Sequence, residues 1–376
     1  MSTSVVKPRI GVLFGGRSGE HEVSLMSARS VLANLDRNKY HVVEIGITHE
    51  GAWLVGRDLL AALESGETNH LTPAVFLPDP AHLGIYTLEK SPDRLALQLF
   101  AALDVIFPVL HGTFGEDGTL QGLLEMSGIA YVGAGVLGSS VGMDKGVFND
   151  VMIANGIPTL ETLVVLRSEI EGDMPAVLAR AEQMAVYPLF VKPANLGSSV
   201  GVSKCRNRSD LLEGLMEAAR YDRRILVQRG VDSREIEVSV LGNDRPEASI
   251  PGEIIPSREF YSYEAKYFDG NSSLLIPAPL TPEQTARVQE LAVRAYRAAD
   301  CAGMARVDFL LDKQTGELYL GELNTIPGFT QISMYPKLWQ ASGLAYAALL
   351  DRLIALALER KSERDRTEWR YRRRGT

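Results

Sequence analysis

Two predicted strands near the C-terminal end of the chain carry polar side chains whose spacing fits catalysis. Arg306 and Asp308 lie two residues apart in the first strand, so their side chains share one face. Glu322 and Asn324 have the same spacing in the second strand. Turn residues at 312–316 connect the strands, and pairing across that turn places Asp308 opposite Glu322. The pattern predicts one surface that carries two carboxylates, a carboxamide and an arginine.

Oxygen ligands of this kind suit Mg²⁺, which keeps several waters and shares its coordination shell with substrate phosphates. The alternative is a solvated hairpin face on which Arg306 and Asp308 form a surface ion pair. We favour the metal site because Asn324 is followed directly by Thr325-Ile326-Pro327-Gly328, a rigid turn that exposes backbone amides.

A lysine beside a glycine- and serine-rich loop forms the second candidate site. The predicted strand 189–192 ends at Lys192 and enters the loop 193–201, which is rich in hydroxyl groups and free amides. Such loops bind anionic oxygens, although this one could also be a plain connection between strands. The chain has no Walker G-x-x-x-x-G-K-[ST] motif, and no G-x-G-x-x-G follows its first strand. A P-loop ATPase and a simple dinucleotide dehydrogenase are therefore both disfavoured.

Alternating strands and helices must position these groups. A buried strand at 10–14 runs into a glycine-rich turn, and a helix with one apolar face and a strand at 41–47 follow. A later strand at 104–108 precedes a helix at 120–127, with Gly128 as its left-handed cap. This order predicts a parallel sheet with crossover helices.

The rest of the chain divides at several local signals. Small residues at 133–142 suggest a connection between domains, and a helix is predicted at 144–155. The polar and aromatic stretch 257–279 lacks periodicity, and a loop of that length is usually functional or disordered. A capping box with proline at the first helical position predicts a helix over 281–299. The arginine-rich stretch from Arg360 is expected to be a frayed tail.

Composition narrows the class of protein. A net charge of −8 over 376 residues argues against broad electrostatic binding of nucleic acid. Cys205 and Cys301 are too few for a disulfide scaffold, and none of the six histidines has zinc-ligand spacing. No apolar run has the form of a signal peptide or a membrane span. We therefore expect a cytoplasmic protein in a reducing compartment.

Taken together, these segments resemble the ATP-grasp superfamily and, within it, the D-alanine–D-alanine ligase family. The resemblance runs through nearly the whole chain in ordered motifs. These motifs are Gly15–Ser24, His111-Gly112 with Gly115–Gly118, Met143–Lys145, Lys192–Gly201, Pro251–Glu253, Tyr263–Tyr267, Arg306–Asp308 and Glu322–Gly328.

The resemblance implies an α/β ATP-grasp ligase of three domains. An N-terminal parallel-sheet domain, residues 1–134, would bind substrate, and two α+β subdomains, residues 135–228 and 229–376, would enclose ATP. The last would hold the metal site, a mobile loop and the basic tail. The implied reaction joins two D-alanine molecules through an acyl phosphate, with release of ADP and phosphate, for peptidoglycan precursor synthesis.

On the nucleotide side, the resemblance assigns Lys145, Lys192 and Lys266 to the ATP phosphates and Glu235 to the ribose hydroxyls. Gln228 would lie beside adenine, where the family usually has glutamate. Its amide oxygen can still accept a hydrogen bond from the exocyclic amine, so nucleotide binding should survive. The strength of adenine selectivity is what this departure puts in doubt.

The resemblance assigns the metal and the oxyanion to the predicted hairpin. Asp308, Glu322 and Asn324 would hold Mg²⁺ or Mn²⁺, as two ions. Arg306 and the backbone amide of Gly328 would stabilise the tetrahedral oxyanion that forms when the amine of the second D-alanine attacks the acyl carbon.

Other implied contacts lie around the amino-acid substrates. Glu20 would pair with the ammonium of the first D-alanine and hydrogen-bond toward Ser198 and Tyr267. Ser333 would hold the carboxylate of the second D-alanine. His111 would either touch the first carboxylate or only cap its turn. Tyr267 favours an amine nucleophile, because relatives that make D-alanyl-D-lactate often have histidine there. Each of these residues also has an ordinary structural alternative, such as a loop hydroxyl or a helix cap.

The implied partners are D-alanine and ATP, without nucleic acid or membrane, in a homodimer such as relatives commonly form. Three alternatives stay open: a ligase for D-lactate, D-serine or another amino acid, a non-catalytic nucleotide-binding protein, and an NAD-linked oxidoreductase. Phosphate release with D-alanine alone, ATP binding without turnover, and nicotinamide binding respectively distinguish them.

Overall fold

The computed structural model describes residues 7–197, 200–255 and 273–368. Its N-terminal part contains an eight-stranded sheet. In chain order the strands are β1 Arg9–Gly15, β2 His41–Ile47, β3 Trp53–Val55, β4 Thr72–Phe76, β5 Gly84–Ser91, β6 Arg94–Ala102, β7 Val105–Pro108 and β8 Ala130–Tyr131. They lie in the order β6-β5-β4-β3-β2-β1-β7-β8.

The centre of this N-terminal sheet confirms the parallel prediction. Strands β2, β1, β7 and β8 pair in parallel, and helices α1 His21–Asn34, α2 Leu59–Ser65 and α3 Thr119–Ser127 accompany them. Helix α3 ends at Gly128 with φ of 73°, which is the left-handed cap expected there. The antiparallel half, from β3 to β6, was not predicted from the sequence.

The stretch 133–142, where the sequence predicted a connection between domains, is largely helical. Helix α4, Val136–Met143, occupies most of this stretch. Its glycines allow close packing, because a Cβ added at Gly138 would lie 2.7 Å from the carbonyl oxygen of Asp300. A Cβ at Gly142 would lie 3.1 Å from the side chain of Thr325.

A four-stranded antiparallel sheet forms the centre of the chain. Its strands are β9 Thr162–Leu166, β10 Leu189–Pro193, β11 Ser203–Cys205 and β12 Arg224–Arg229, in the order β11-β10-β12-β9. Its neighbouring helices are α5 Lys145–Ala154, α6 Arg167–Gly172, α7 Met174–Met184 and α8 Arg208–Tyr221. Helix α5 confirms the helix predicted at 144–155, with Asp144 as its N-cap.

A third sheet of six strands follows, and it holds the predicted hairpin. Its strands are β13 Ser233–Gly242, β14 Glu247–Ala248, β15 Gly252–Ile255, β16 Ser273–Leu275, β17 Gly303–Asp312 and β18 Leu318–Asn324. Strands β17 and β18 pair with Arg306 opposite Asn324 and Asp308 opposite Glu322, so the predicted register is correct. Helix α9, Pro282–Ala298, begins with the expected capping box of Thr281 and Gln284.

Two further helices, α10 Met334–Ala341 and α11 Tyr346–Arg364, return to the N-terminal part. The beginning of the expected frayed tail is ordered instead. Arg360 lies 4.1 Å from the ring centre of Tyr131 and donates to the carbonyl of Gly133 at 2.6 Å. Arg364 pairs with Glu125 at 2.6 Å. Residues 369–376 lie outside the described residues, as does 256–272 of the predicted functional loop.

One hydrophobic core joins the N-terminal sheet to the C-terminal part. Ile10 and Phe107 share a buried cluster with Phe329, Tyr335 and Leu353. Phe107 and Phe329 pack edge to face, with ring centres 6.0 Å apart. The hairpin and the glycine turn after β1 are therefore supported by the same core. Within the described ranges no single helix is long and apolar enough to cross a membrane, and only α10 and α11 together, bent by 105°, meet that criterion.

Candidate active site

The face of strands β17 and β18 brings together the four side chains predicted from their spacing. The Nε and Nη2 atoms of Arg306 donate to Oδ1 and Oδ2 of Asp308 at 2.7 and 2.6 Å. Asn324 donates through Nδ2 to Oδ2 of Asp308 at 3.0 Å. Glu322 is opposite Asp308 on the paired strand. These side chains face a cleft and form a connected polar cluster.

A further carboxylate, which the sequence analysis missed, lies beside this cluster. Glu237 on β13 is opposite Asp308, and its Oε2 lies 3.0 Å from Nε of Arg306. Its side chain is only 7% exposed. Burial would favour the neutral guanidine of Arg306, but Asp308 and Glu237 raise its pKa well above the ordinary value. The spacing of Glu237 two residues after Glu235, on one strand face, was the available signal.

Two lysines approach the cluster from the central part of the chain. Lys145 is the first residue of α5, and its Nζ donates to the carbonyl of Leu196 at 2.8 Å. The same Nζ lies 3.9 Å from Oε2 of Glu322. Asp144 caps this helix and pairs with Arg224 at 2.6 Å, which fixes the position of Lys145.

Lys192 extends from β10, as its place at the end of the predicted strand indicated. Its Nζ donates to Oε1 of Gln228 at 2.8 Å, and Nε2 of Gln228 donates to Thr162 at 2.9 Å. Burial and the neighbouring charge of Lys145 lower the pKa of Lys192 to about 8, against an opposing effect of Glu322. The two lysines provide positive charge on the side of the cleft opposite the carboxylates.

A cavity of about 920 Å³ separates the central sheet from the third sheet. Its lining includes Lys192 and Gln228 on one wall and Glu235, Asp308 and Glu322 on the other. Large clefts between subdomains are the usual place for a ligand of nucleotide size. The cavity thus brings together three of the residues that the resemblance assigned to the nucleotide and two of the three that it assigned to the metal.

A smaller cavity of about 70 Å³ adjoins the first and reaches the N-terminal sheet. Glu20, His111, Lys145, Arg306 and Gly328 are among its lining residues. It therefore joins the glycine turn after β1 to the oxyanion candidates. A pocket of this size fits a small substrate group beside the larger cleft.

Two glycines make room for the carboxylate of Glu20. A Cβ added at Gly112 or at Gly197 would lie only 2.6 Å from Oε2 of Glu20. Gly112 belongs to the turn after β7, and Gly197 to the loop after β10. The side chain of Glu20 thus extends from the N-terminal part to the loop that follows β10.

His111 has protein partners at both ring nitrogens. Its Nδ1 lies 3.0 Å from the carbonyl oxygen of Ile326, which requires a proton on Nδ1. Its Nε2 lies 3.0 Å from Oγ of Ser27, which accepts from the amide of Phe329 at 3.2 Å. Burial lowers the pKa of His111, which favours the neutral ring. These contacts support the role of capping and positioning over contact with a carboxylate.

Glu116 is the second functional candidate that the sequence analysis did not single out. Its Oε2 accepts from the amide of Gly112 at 2.8 Å, and its Oε1 accepts from the amide of Ile326 at 3.0 Å. Burial and the charge of Glu20 raise the pKa of Glu116 to about 8. Its position inside the motif Gly115–Gly118 was a signal, but the partner at Ile326 is 210 residues away.

Gly328 and Ser333 lie together at the end of the same turn. A Cβ at Gly328 would lie 2.7 Å from Oγ of Ser333. Oγ of Ser333 accepts from the amide of Thr330 at 3.0 Å and lies 2.8 Å from Oγ1 of Thr330. Ser333 immediately precedes α10, so both its backbone and its side chain are held in place.

Comparison with known proteins identifies the group to which this constellation belongs. The family model described as D-ala D-ala ligase N-terminus matches residues 9–134, and the model described as D-ala D-ala ligase C-terminus matches residues 151–355. The chain belongs to the D-alanine–D-alanine ligase family.

Individual relatives agree over nearly their full length. The D-alanine–D-alanine ligase of Thermoanaerobacter sp. (strain X514) is 54% identical over 96% of this chain and 99% of its own. That of Heliobacterium modesticaldum is 50% identical over 96% and 98%. The chain is therefore an enzyme of the ligase class.

Solved structures of ligases in this family share the fold. The D-alanine-D-alanine ligase from Coxiella burnetii has a TM-score of 0.79 and 36% identity, with 96% of both chains covered. The D-Ala:D-Ser ligase from Enterococcus faecalis has a TM-score of 0.82 and 34% identity, over 93% of this chain and 99% of its own. The α/β ATP-grasp fold that the resemblance implied is confirmed.

The donor set of the hairpin fits the divalent ion that a ligase of this family implies. Asp308 and Glu322 supply carboxylates, and Asn324 supplies an amide oxygen once its side chain turns. In the part of the chain described, no three His, Cys, Asp or Glu side chains form a complete metal site by themselves. An incomplete set suits Mg²⁺, whose remaining ligands are phosphate oxygens and water.

Three site residues fall on parts of the chain without a described structure. Ser198 and the pair Lys266 and Tyr267 lie outside the described residues. The other residues assigned from the resemblance line one of the two adjoining cavities or, as for Ser333, lie against a lining residue.

Proposed function

We propose that this ligase joins two D-alanine molecules to D-alanyl-D-alanine at the expense of ATP, for peptidoglycan precursor synthesis. The observation that carries the proposal is that Asp308 and Glu322 face Lys192 across one cleft. Arg306 and Asn324 are hydrogen-bonded to the same Asp308 and line the adjoining cavity. The carboxylates can hold a metal ion, and the cationic side chains can neutralise a triphosphate and a carboxylate substrate.

The larger cavity is proposed to hold ATP between subdomains 135–228 and 229–376, and domain 1–134 to complete the amino-acid site. Gln228 would lie beside adenine, and Glu235 would accept from the ribose hydroxyls. Lys145, Lys192 and Lys266 would neutralise the phosphates. The neutral amide of Gln228 can accept from the exocyclic amine through the second lone pair of Oε1.

Two ions of Mg²⁺ or Mn²⁺ are proposed at Asp308, Glu322 and Asn324. When bound, they would neutralise the phosphate charge and polarise the transferred phosphoryl group. The residues of the chain have their own part in this step. Lys192 and Lys266 would reduce the repulsion between the carboxylate of the first D-alanine and the γ-phosphate.

The first D-alanine must be activated because a carboxylate is a poor electrophile toward an amine. Its oxygen attacks the γ-phosphorus, the bond to ADP breaks, and an acyl phosphate results. Glu20 would hold the ammonium of this substrate through an ion pair. His111 and Glu116 would fix the turn on which the substrate rests, from Gly112 to Ile326.

The free amine of the second D-alanine then attacks the acyl carbon. Arg306 and the amide of Gly328 would donate to the oxyanion, which exists only in this second step. The carbon–oxygen bond to phosphate breaks, and the departing phosphate takes up the proton that the amine loses. Ser333 would hold the carboxylate of the second substrate, and Ser198 and Tyr267 would act together with Glu20.

The assembly is proposed to be a cytoplasmic homodimer without nucleic-acid or membrane partners. Strand β6 is the outermost strand of its sheet, and it exposes Leu95, Leu97 and Leu99 at alternate positions, with Phe100 beside them. Apolar patches of this kind commonly mark protein interfaces. The patch supports association of two copies of this chain.

A ligase for D-serine or D-lactate as second substrate is the alternative, and the likeness to a D-Ala:D-Ser ligase of 34% identity supports considering it. Phosphate release with ATP and D-alanine alone, compared with D-alanine plus each rival, tests the proposal. We expect full turnover with D-alanine alone. Turnover that requires D-serine or D-lactate would overturn it.

A further inference from the structure

Three carboxylates lie in one row across strands β13, β17 and β18. Glu237 is opposite Asp308, and Asp308 is opposite Glu322. Residues directly opposite in antiparallel strands share a face of the sheet. Arg306 lies two residues before Asp308 and therefore shares this face. The guanidinium of Arg306 thus lies on the same face of the sheet as three carboxylates.

In the structure, the guanidinium of Arg306 contacts two of these carboxylates. It makes two hydrogen bonds to Asp308, at 2.7 and 2.6 Å. Its Nε also lies 3.0 Å from Oε2 of Glu237. The side chains of Arg306 and Asp308 are 17% and 18% exposed, while that of Glu237 is 7% exposed.

The hydrogen bonds of Asp308 compete with metal binding by its Oδ2 atom. Each carboxylate oxygen has about two acceptor positions. Oδ2 of Asp308 already accepts from Arg306 and from Asn324, and Oδ1 accepts from Arg306. Ligation through Oδ2 of Asp308 therefore requires that a contact with Arg306 or Asn324 be released. A buried arginine that loses its partner carries a large energetic cost.

We propose that Glu237 is a positioning residue that retains Arg306 when Asp308 and Glu322 turn to the metal. The inference rests on the proposed function, and it concerns a residue to which the resemblance gave no role. The guanidinium keeps one buried partner throughout, so it stays aimed at the acyl carbon. Exchange between the two carboxylates needs little movement, because Nε already contacts both.

The variant Glu237→Gln tests this proposal, since it removes the charge and keeps the size of the side chain. Binding of Mn²⁺, measured by electron paramagnetic resonance with a non-hydrolysable ATP analogue, is the readout independent of turnover. We expect an increase of about tenfold in the dissociation constant, because Arg306 then holds Asp308 more firmly. Glu237→Asp, which keeps the charge on a shorter side chain, should lie between the parent and Gln, and it serves if Glu237→Gln does not fold.

Glu253→Gln is the matched control. Glu253 pairs with Arg234 at 2.7 Å, and its side chain is 9% exposed in the same sheet. It is opposite Ile236, so it faces away from Glu237. We expect the Mn²⁺ affinity of Glu253→Gln to stay within about twofold of the parent, because Glu253 does not contact Arg306 and its loss should have little effect on Asp308. An equal loss in both variants would show a general effect of charge and overturn the proposal.

A double-mutant cycle separates this inference from the proposed function. With intact Glu237, Arg306→Ala should lower kcat strongly; if it does not, the oxyanion role itself fails. At saturating Mg²⁺, Glu237→Gln alone should lower kcat by about thirtyfold with the KM for ATP little changed, and the double variant should be no slower than Arg306→Ala. The positioning role of Glu237 would be rejected if Glu237→Gln left kcat and Mn²⁺ affinity unchanged. It would also be rejected if the losses in kcat of the two single variants simply added in the double variant. Neither result would bear on the oxyanion role of Arg306.

Discussion

Lys192 donates a hydrogen bond from its ammonium group to the amide oxygen of Gln228 across 2.8 Å. Gln228 is neutral, so this contact provides less electrostatic support for the lysine proton than a carboxylate would. Burial and Lys145 lower the pKa of Lys192 to about 8. Gln228, where the resemblance implies a glutamate in most of the family, thus affects the charge of the lysine that we propose to bind phosphate.

Gln228→Glu should move the pH dependence of nucleotide binding upward. Lys192 is charged below its pKa and neutral above it, so affinity for an ATP analogue should fall as pH rises through about 8. A carboxylate at 228 raises the pKa of Lys192, and the fall should then begin at higher pH. Calorimetric titration across this range measures both profiles. Lys192→Met should abolish the fall in affinity near pH 8. Coincident profiles for the parent and Gln228→Glu would contradict the assignment of that fall to Lys192.

Arg306→Ala should lower turnover far more than ATP affinity. The oxyanion develops only after activation of the first substrate, so loss of its donor acts on that step, by about 10² to 10³ in kcat. Steady-state kinetics and direct binding of an ATP analogue provide the two numbers. Equal losses in kcat and nucleotide affinity would show that Arg306 serves binding instead.

Glu116→Gln should destabilise the contact between the N-terminal sheet and the hairpin. Both oxygens of Glu116 accept backbone amides, from Gly112 and Ile326, and an amide nitrogen cannot accept. We expect a loss of about 1–3 kcal/mol in the free energy of unfolding, measured with denaturant. Glu125→Gln, at the contact with Arg364, is a comparison variant with a different partner. Unchanged stability in Glu116→Gln would remove this positioning role.

Replacement of Leu97 and Leu99 by lysine should convert the proposed dimer to a monomer. Both side chains are about half exposed on the outermost strand β6, at 46% and 50%, and charge there opposes apolar association. Light scattering coupled to size exclusion gives the mass of parent and variant. A monomeric parent would exclude the dimer. A variant that remains dimeric would place the interface elsewhere.

Local pattern was sufficient for the hairpin, where alternation and turn residues determine which side chains share a face. Asp308 lies opposite Glu322, as that argument predicted. The helix caps at Thr281 and Gly128 were also predicted correctly, because their signals lie within a few residues of each other. The same short range explains why helix α4 was not predicted within 133–142, where Gly138 packs against Asp300.

Contacts between distant segments could not be derived from the sequence alone. Glu116 bonds to Ile326, and Arg364 bonds to Glu125 across 239 residues. Nothing near Arg364 in sequence indicates that partner, so a charged segment was taken for a tail. Glu237 was missed for a related reason, since its role depends on β13 lying beside β17.

Transfer of oxygen from D-alanine to phosphate tests the central claim most directly. D-Alanine labelled with ¹⁸O in its carboxylate is incubated with the enzyme, ATP and Mg²⁺, and the released phosphate is examined by mass spectrometry. Attack of the carboxylate on the γ-phosphorus predicts one labelled oxygen in each phosphate released with dipeptide. Phosphate that contains no label from D-alanine would contradict an acyl phosphate intermediate at this site.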